Sequence, residues 1–188
     1  MCQQFIWYNT AKLPSPAQWV NVERIRVKDS FTHIWWMSKS EYPKADNRNV
    51  LNEYSLSMQK LLKTKKYNSA IRPSEHNIGK KTFLTDNKGA IPSNVLVSSN
   101  TQSYSKYLDY CRENNLELHP ARMPIDIPNF FIKFLTDVGD VVFDPFGGSN
   151  TTGEAAETLG RKWIAIELNE NYILGSKGRF KNVKSVSC

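Results

Sequence analysis

The sequence has few cysteines, no long apolar run and no secretory leader. Its three cysteines, Cys2, Cys111 and Cys188, stand far apart and form no CxxC pair, which argues against a disulfide framework or a zinc site. No run of about 18 apolar residues exists, so no membrane-spanning helix is predicted. The first residues lack the positive and apolar regions of a signal peptide. We therefore expect a cytoplasmic protein with no metal and no membrane partner.

Negative charge is scarce in the first half of the chain. The formal net charge is +7, and residues 1–90 carry 15 Lys and Arg against 7 Asp and Glu, whereas residues 91–188 carry 10 against 11. A basic half fits contact with a polyanion such as DNA. A solubilising surface without a partner would look the same by charge alone.

The chain of 188 residues, 40% of them hydrophobic, is long enough for one core. Aromatic and β-branched runs predict strands, and three-four spacing predicts helices. The predicted strands cover 5–9, 32–38, 141–146 and 162–168, and the predicted helices cover 52–66, 103–115 and 127–137. Phe130, Phe131 and Phe134 in the last helix are predicted to lie in the core. Residues 39–100 otherwise read as a long, loop-rich insert of the kind that is usually functional or disordered.

Residues 141–168 have the order strand, glycine loop, helix, strand. Thr151 and Glu154 have the spacing of a capping box, which predicts that the helix begins there. Glu167 ends the second strand, where a carboxylate usually accepts from ribose hydroxyls. The loop has neither GxxxxGK[ST] nor GxGxxG, which disfavours a nucleoside triphosphatase or a pyrophosphate site. Hydroxyls and N–H groups at a helix N-terminus suit a small carboxylate, so the pattern favours S-adenosylmethionine over an ordinary unliganded turn.

The same motif resembles that of a known family. DPFGGSNTTG followed by LGRKWIAIELNENY resembles the cofactor motif of DNA amino-methyltransferases, with Asn150 and Ala165 in place of the commoner glycines. HPARMP, upstream, is similar to the circularly permuted (beta) class. The first half, with RPSEHNIGK and GAIPSNVL, resembles the cytosine-N(4)-specific, PvuII-like modification enzymes.

The resemblance implies a Rossmann-like α/β S-adenosylmethionine-dependent methyltransferase fold with an incomplete sheet. Residues 1–38 would belong to that sheet, and FIWYN near the start reads as one of its inner strands. Residues 39–100 would form a basic, loop-rich insert that recognises the DNA target, and residues 101–188 would form the cofactor-binding part. The substrate would be double-stranded DNA with a flipped-out base.

The resemblance also assigns candidate site residues. Asp144 would orient the glycine loop or approach the cofactor's amino group, and Glu167 would hold the ribose. The loop residues expected against the cofactor are Phe146, Gly147, Gly148, Ser149, Asn150, Thr151 and Thr152. His119, Pro120 and Arg122 would lie in a segment that closes over it, although a helix-entry hydrogen bond is the simpler role for His119.

The best candidates for DNA contact are basic residues of the first half: Lys12, Arg24, Arg26 and Lys28, with Arg72, Lys80 and Lys81 in the insert. RIRVKD alternates as a strand does, so Arg24, Arg26 and Lys28 would share one face. Such a face could track phosphates and read a guanine. A charged strand edge that deters aggregation is the alternative.

The catalytic loop of the family, [SDN]-P-P-[YFW], is missing, because the sequence contains no Pro-Pro dipeptide. No catalytic residue is therefore assigned, and we expect the chain to be inactive alone unless a second polypeptide supplies the loop. Cytosine C5 methylation is disfavoured, since no cysteine follows a proline. An adenine-N(6) methyltransferase portion, a non-catalytic remnant that binds DNA or cofactor, and a Rossmann-like oxidoreductase are the alternatives.

Overall fold

The computed structural model describes residues 1–66 and 83–181. The strands are β1 (Gln3–Tyr8), β2 (Phe31–Trp36), β3 (Val95–Val97), β4 (Val141–Asp144) and β5 (Lys162–Ala165). The α-helices are α1 (Leu56–Thr64), α2 (Lys106–Glu113), α3 (Asp126–Leu135), α4 (Thr151–Thr158) and α5 (Glu170–Ser176). The chain divides into two compact units, one of Met1–Ala45 with Ser93–Cys188 and one of Asp46–Pro92. Within the described ranges, no helix is long and apolar enough to span a membrane.

The first unit contains a three-stranded sheet in the order β2-β1-β3. β1 pairs antiparallel with β2 and parallel with β3, so the predicted inner strand is confirmed. β3 was not predicted, because three residues are too few to show a period of two. Its register pairs Ile6 with Val95 and Tyr8 with Val97.

One face of this sheet packs on α3 through aromatic rings. Phe5 is buried, and its ring lies edge-on to those of Phe130, Phe131 and Phe134, with centroids 5.9, 5.1 and 6.3 Å away. Trp36 of β2 contacts Phe134 at 5.1 Å. Edge-to-face pairs of this kind stabilise a core beyond the area they bury. The predicted core role of the three α3 phenylalanines is confirmed.

β4, α4 and β5 form the predicted strand-helix-strand unit, with β4 and β5 parallel. Ala155 and Ala156 of α4 are buried against Ile132 of α3, and Val142 of β4 and Trp163 of β5 pack on the same cluster. The predicted strands are longer than β4 and β5, which end at Asp144 and Ala165 where the chain turns into the site.

The helix-start prediction was one residue late. Asn150, not Thr151, caps α4: it adopts the left-handed conformation, and its Oδ1 accepts a hydrogen bond of 3.1 Å from the N–H of Gly153. Asparagine tolerates this conformation better than most residues. A Cβ on Gly153 would collide with the Asn150 amide, so a larger residue there would displace the cap. Glu154 does not close a capping box, because its carboxylate pairs with Arg179.

Two further helices pack beside the strand-helix-strand unit. Tyr107, Leu108 and Cys111 of α2 are buried. α5 lies against α2 at Gly175, where an added Cβ would meet the Cys111 sulfur at 2.9 Å. α5 was not predicted, since its seven residues are too few to show a helical apolar period.

A groove lined almost entirely by apolar side chains, about 370 Å³ in volume, runs along α3. We call it the α3 groove. Phe131 and Leu135 of α3, Ile34 of β2, Val142 of β4 and Thr152 of α4 are among its lining residues. It therefore lies against β2 of the three-stranded sheet and against β4 of the two-stranded sheet.

The second unit is loop-rich around α1, which is shorter than the predicted helix over 52–66. Ser55 caps α1 by accepting from Met58 N, and an isolated antiparallel bridge joins Asn52 to Ala90. The unit lies inside the predicted insert of residues 39–100, and its role in target recognition stays a prediction.

Candidate functional site

The glycine loop between β4 and α4 is fixed by backbone hydrogen bonds. Asp144 Oδ1 accepts from Phe146 N at 3.0 Å, which fits the predicted loop-orienting role. Gly147 N donates to Ile166 O at 2.8 Å, and Asn150 N donates to Gly147 O at 2.7 Å. The loop is thus tied both to itself and to the end of the β5 strand.

Glu167 joins this loop to the segment after β5. Its Oε2 accepts from Gly148 N at 2.7 Å, and its Oε1 accepts from Asn169 N at 2.9 Å. An ionised carboxylate has about four acceptor positions in all. Both oxygens can therefore take a further hydrogen bond from a ligand, as the ribose role requires.

The hydrogen bonds also hold Glu167 in its charged form. The bond from Asn169 N lowers the pKa of the carboxyl below its ordinary value of 4.5, against a smaller rise from partial burial, and the Gly148 bond adds to the lowering. A charged side chain next to the glycine loop is the form that accepts from hydroxyls on both oxygens.

His119 lies directly over Gly148. A Cβ on Gly148 would be 3.0 Å from His119 Nε2, and the φ of Gly148 is +52°. The imidazole is held by a hydrogen bond of 3.3 Å from Ala121 N to Nδ1 and by an edge contact with Tyr172 at 4.6 Å. Because Nδ1 accepts, the ring proton of the neutral form lies on Nε2, which faces the loop. The predicted closing segment therefore does reach the glycine loop.

The buried Tyr107 and the half-buried Arg122 support the His119 segment. Tyr107 Oη accepts from His119 N at 2.9 Å, and Arg122 Nη1 donates to His119 O at 2.9 Å. Burial raises the pKa of the Tyr107 phenol, so it stays protonated at neutral pH. Pro120, in contrast, is exposed.

Arg179 also holds the loop between β4 and α4. Its guanidinium donates to Ser149 O through Nε and to Ser149 Oγ through Nη2 at 3.0 Å, and it pairs with Glu154 through Nη1. The same group lies 4.7 Å from the centroid of the Tyr107 ring. The Arg179 side chain is only 6% exposed. Sequence reasoning missed this residue, since no motif spacing links it to the loop.

The remaining loop residues are placed differently from one another. Phe146 is 87% exposed, whereas Ser149 and Thr151 are buried, with their hydroxyls 3.3 Å apart. Thr152 lines the α3 groove. The hydroxyls of Ser149 and Thr151 are therefore internal, whereas the sequence predicted them to lie against a ligand.

The basic residues predicted for DNA contact do not lie on a strand. Residues 23–30 form no helix or strand, and Arg24 has a φ of +57°. The N–H groups of Ile25 and Arg26 both donate to Trp19 O, which wraps the chain around that carbonyl and breaks the alternation. The strand-like stretch on which the shared face was predicted is therefore absent, and DNA contact by these residues stays a prediction.

The exposure of these residues is nevertheless as expected. Arg24, Arg26 and Lys28 are exposed, and Lys28 Nζ donates to Lys12 O at 3.1 Å, so both ends of this loop lie together. Arg72, Lys80 and Lys81 lie outside the described residues. In the described ranges, no cluster of three or more His, Cys, Asp or Glu could hold a metal.

Comparison with known proteins decides the family. A family model described as DNA methylase matches residues 1–177. The chain belongs to the DNA methylase family.

Solved and curated DNA methylases agree with this. The chain is 48% identical over 182 residues to the type II methyltransferase M.PvuII of Proteus hauseri, covering 96% of this chain and 54% of that protein. The structure of the PvuII DNA methyltransferase (cytosine-N4-specific) matches with a TM-score of 0.72 and 38% identity over 97% of this chain and 52% of that one. The M1.HpyAVI–SAM complex, at 20% identity, a TM-score of 0.51 and coverage of 96% and 62%, shows the fold alone.

The chain spans about half the length of the first curated relative that it matches. The predicted family and the α/β methyltransferase fold are confirmed. The DNA adenine methyltransferase YhdJ of Escherichia coli (strain K12) is 46% identical, but over 57 residues, 30% of this chain and 19% of that protein.

Substitution of Arg179 with lysine is expected to loosen the glycine loop between β4 and α4. Lysine keeps the charge beside Glu154 but loses the two-pronged contact with Ser149, at a cost of about 1–2 kcal/mol in the free energy of unfolding. Hydrogen exchange should quicken at residues 147–151. Arg161→Lys is the matched control, because the Arg161 guanidinium donates hydrogen bonds to Thr136 and Leu159 at the start of β5, away from the loop. Equal exchange at the loop in both variants would contradict the role of Arg179.

Acid should weaken the loop through Glu167. Its pKa is lowered on folding, so its contribution to stability is present above the ordinary value of 4.5 and is lost as the pH falls through the folded pKa. Between about pH 6 and about pH 3, the wild type should therefore lose thermal stability more steeply than Glu167→Gln, which has no carboxyl to titrate. Parallel curves for the two proteins would refute this.

Proposed function

We propose that this chain is the S-adenosylmethionine-binding part of a site-specific cytosine-N4 DNA methyltransferase of the restriction-modification type. The observation that carries the proposal is the junction of Gly148, Glu167 and His119. There the charged Glu167 carboxylate, which has free acceptor positions, accepts a hydrogen bond from Gly148 N. The His119 imidazole occupies the place where a side chain on Gly148 would lie.

The residues present fit this cofactor. Glu167 would accept from the ribose hydroxyls while keeping its bonds to Gly148 and Asn169. The N-terminus of α4, which is the positive end of the helix dipole, would receive the carboxylate of the amino-acid part. Asp144, engaged by Phe146 N, has a second oxygen that could accept from the amino group.

When bound, S-adenosylmethionine supplies a methyl group on a sulfonium, which an exocyclic amine can attack directly. In the family that the chain resembles, the amine is activated by the [SDN]-P-P-[YFW] loop, and the aromatic residue of that loop stacks on the flipped base. This sequence contains no Pro-Pro pair, so its own residues would bind and orient the cofactor and not activate the amine. Alignment of donor and acceptor would follow once that loop is supplied.

The length of the similarity favours cytosine over adenine. The likeness to M.PvuII extends over 96% of this chain, whereas the likeness to the adenine enzyme YhdJ is confined to 30% of it. The PvuII structure that matches is described as cytosine-N4-specific. A non-catalytic module that binds DNA or cofactor is the second candidate, favoured by the missing catalytic loop.

Titration calorimetry tests the cofactor. We expect the chain to bind S-adenosylmethionine and S-adenosylhomocysteine, and to bind NAD far more weakly. Tighter binding of NAD would favour an oxidoreductase and refute the proposal. ATP serves as a control for the adenosine part alone.

A methyl-transfer assay tests whether catalysis needs a segment that this chain does not contain. Purified chain with labelled S-adenosylmethionine and double-stranded DNA should transfer no label. Addition of a polypeptide with an SPPY-type loop should restore transfer to cytosine N4. Robust transfer by the chain alone would overturn the claim that catalysis needs another segment, and label on adenine would overturn the cytosine assignment.

DNA contact is proposed for the exposed loop that carries Lys12, Arg24, Arg26 and Lys28. Charge supports this, since contacts with phosphates require exposed cations and these four side chains lie in one connection between β1 and β2. Replacing all four with glutamine should weaken DNA binding and flatten its dependence on salt, while cofactor binding is unchanged. An unaltered salt dependence would exclude this loop.

A further inference from the structure

Tyr107 of α2 contacts both residues that support the glycine loop from outside it. The Arg179 guanidinium lies over the Tyr107 ring, 4.7 Å from its centroid. The Tyr107 hydroxyl accepts a hydrogen bond of 2.9 Å from His119 N. Since Arg179 holds Ser149 and His119 lies beside Gly148, one buried side chain connects the two supports.

Arg179 fixes the peptide plane between Ser149 and Asn150. Its Nε donates to Ser149 O, so this carbonyl points toward the guanidinium. In a trans peptide the N–H of the next residue points the opposite way, and Asn150 N accordingly donates to Gly147 O at 2.7 Å. Arg179 therefore also favours the turn over residues 147–150, which contains Gly148.

The Tyr107 hydroxyl fixes the backbone of the second support. It accepts from the main-chain N–H of His119, so it sets the position of that residue and with it the position of the imidazole. The imidazole lies against Gly148, whose own N–H donates to Glu167 Oε2 at 2.7 Å. A shift of the His119 backbone would therefore be transmitted to the donor that orients Glu167.

Burial strengthens both contacts of Tyr107. Tyr107 is 1% exposed, and the Arg179 side chain is 6% exposed. The attraction between a cation and an aromatic face is larger where water is excluded. A donor such as His119 N, once its acceptor is removed, loses a hydrogen bond that water replaces poorly in a partly buried place. A change at Tyr107 should therefore affect both supports.

We propose that Tyr107 is a positioning residue for the cofactor, which couples Arg179 to His119 so that together they hold Gly148 against Glu167. This rests on the proposed function, in which Glu167 accepts from the ribose hydroxyls. Tyr107 acts through its neighbours, because its side chain is buried and its hydroxyl and ring are engaged by them. Loosening one support through Tyr107 then loosens the other.

Two variants separate the contacts of Tyr107. Tyr107→Phe keeps the ring beside Arg179 and removes only the acceptor of His119 N. Tyr107→Leu removes the ring as well. We expect S-adenosylmethionine affinity, measured by calorimetry, to fall about fivefold in the first variant and about 30-fold in the second.

Hydrogen exchange of the cofactor-free chain gives a readout that a general loss of stability does not reproduce. Tyr107→Phe should quicken exchange chiefly at residues 119–122. Tyr107→Leu should quicken it both there and at residues 147–151, because the Arg179 contact is lost too. Exchange at residues 147–151 that is unchanged in Tyr107→Leu would overturn the coupling.

Matched controls come from outside this network. Phe5→Leu also removes a buried aromatic ring, but that ring packs on α3. Tyr110→Phe removes a hydroxyl from the same helix as Tyr107 and leaves the bond to His119 in place. Both controls should keep the wild-type affinity, even if their melting temperatures fall. A loss of affinity in Phe5→Leu equal to that in Tyr107→Leu would overturn the positioning role.

The wild type separates the two proposals. A wild-type chain that does not bind S-adenosylmethionine refutes the proposed function. A wild-type chain that binds it, with Tyr107 variants of unchanged affinity, refutes the positioning role alone. If Tyr107→Leu does not fold, Tyr107→Phe carries the test, and wild-type affinity together with wild-type exchange at residues 119–122 in that variant overturns the proposal.

Discussion

Substitution of Gly148 with alanine is expected to reduce S-adenosylmethionine affinity by about 100-fold. The new Cβ would lie 3.0 Å from His119 Nε2, and the +52° φ of Gly148 is unfavourable for alanine by about 1–2 kcal/mol. Relief of the contact with His119 or of the backbone strain moves the Gly148 N–H that donates to Glu167. A hydrogen bond to a charged acceptor of this kind contributes about 1.5–3 kcal/mol. Calorimetry gives the affinity, and thermal melting gives the accompanying loss of stability.

Gly139→Ala separates the two causes. Gly139 has a φ of +88°, but an added Cβ there meets nothing within 4 Å. This variant should lose stability through its backbone conformation and keep its cofactor affinity. His119→Ala combined with Gly148→Ala should recover part of the stability lost in the single variant, because the imidazole is gone. No recovery, or unchanged binding in Gly148→Ala, would mean that His119 does not constrain the loop.

Substitution of Glu167 with alanine should be nearly as damaging. It removes the acceptor proposed for the ribose and leaves the N–H groups of Gly148 and Asn169 without their carboxylate. We expect cofactor affinity to fall by about 30–100-fold, from the loss of about 2–3 kcal/mol of charged hydrogen bonding.

Two further variants distinguish the loss of the ribose contact from the loss of a negative charge. Glu167→Gln keeps one acceptor but places an amide donor against a backbone N–H, so its affinity should lie between those of alanine and wild type. Glu170→Ala removes the same charge from the first turn of α5 and should leave affinity unchanged. A Glu170→Ala variant as weak as Glu167→Ala would show that net charge, not the ribose contact, is responsible.

Local patterns in the sequence predicted the strand-helix-strand unit and the position of Glu167 well. These features depend on neighbours in the chain, such as the β-branched and aromatic run of β4 and the small residues of α4, which a sequence shows directly. The aromatic packing of α3 was also predictable, because three phenylalanines at helical spacing need an apolar surface.

Long-range contacts were not predictable in the same way. Arg179 reaches Ser149 across 30 positions, and β3 pairs with β1 across about 90. Nothing in the composition of either segment specifies its partner. The strand predicted over residues 24–28 is absent for another reason. Hydrogen bonds from the backbone of this segment to the Trp19 carbonyl override its weak strand alternation.

A crystal structure of the chain grown with S-adenosylmethionine would show where the methyl donor binds. We expect both ribose hydroxyls within hydrogen-bond distance of the Glu167 carboxylate, with the amino-acid end at the first turn of α4. A donor ordered at any other place, with the surface between Gly148 and Glu167 free of it, would contradict the account.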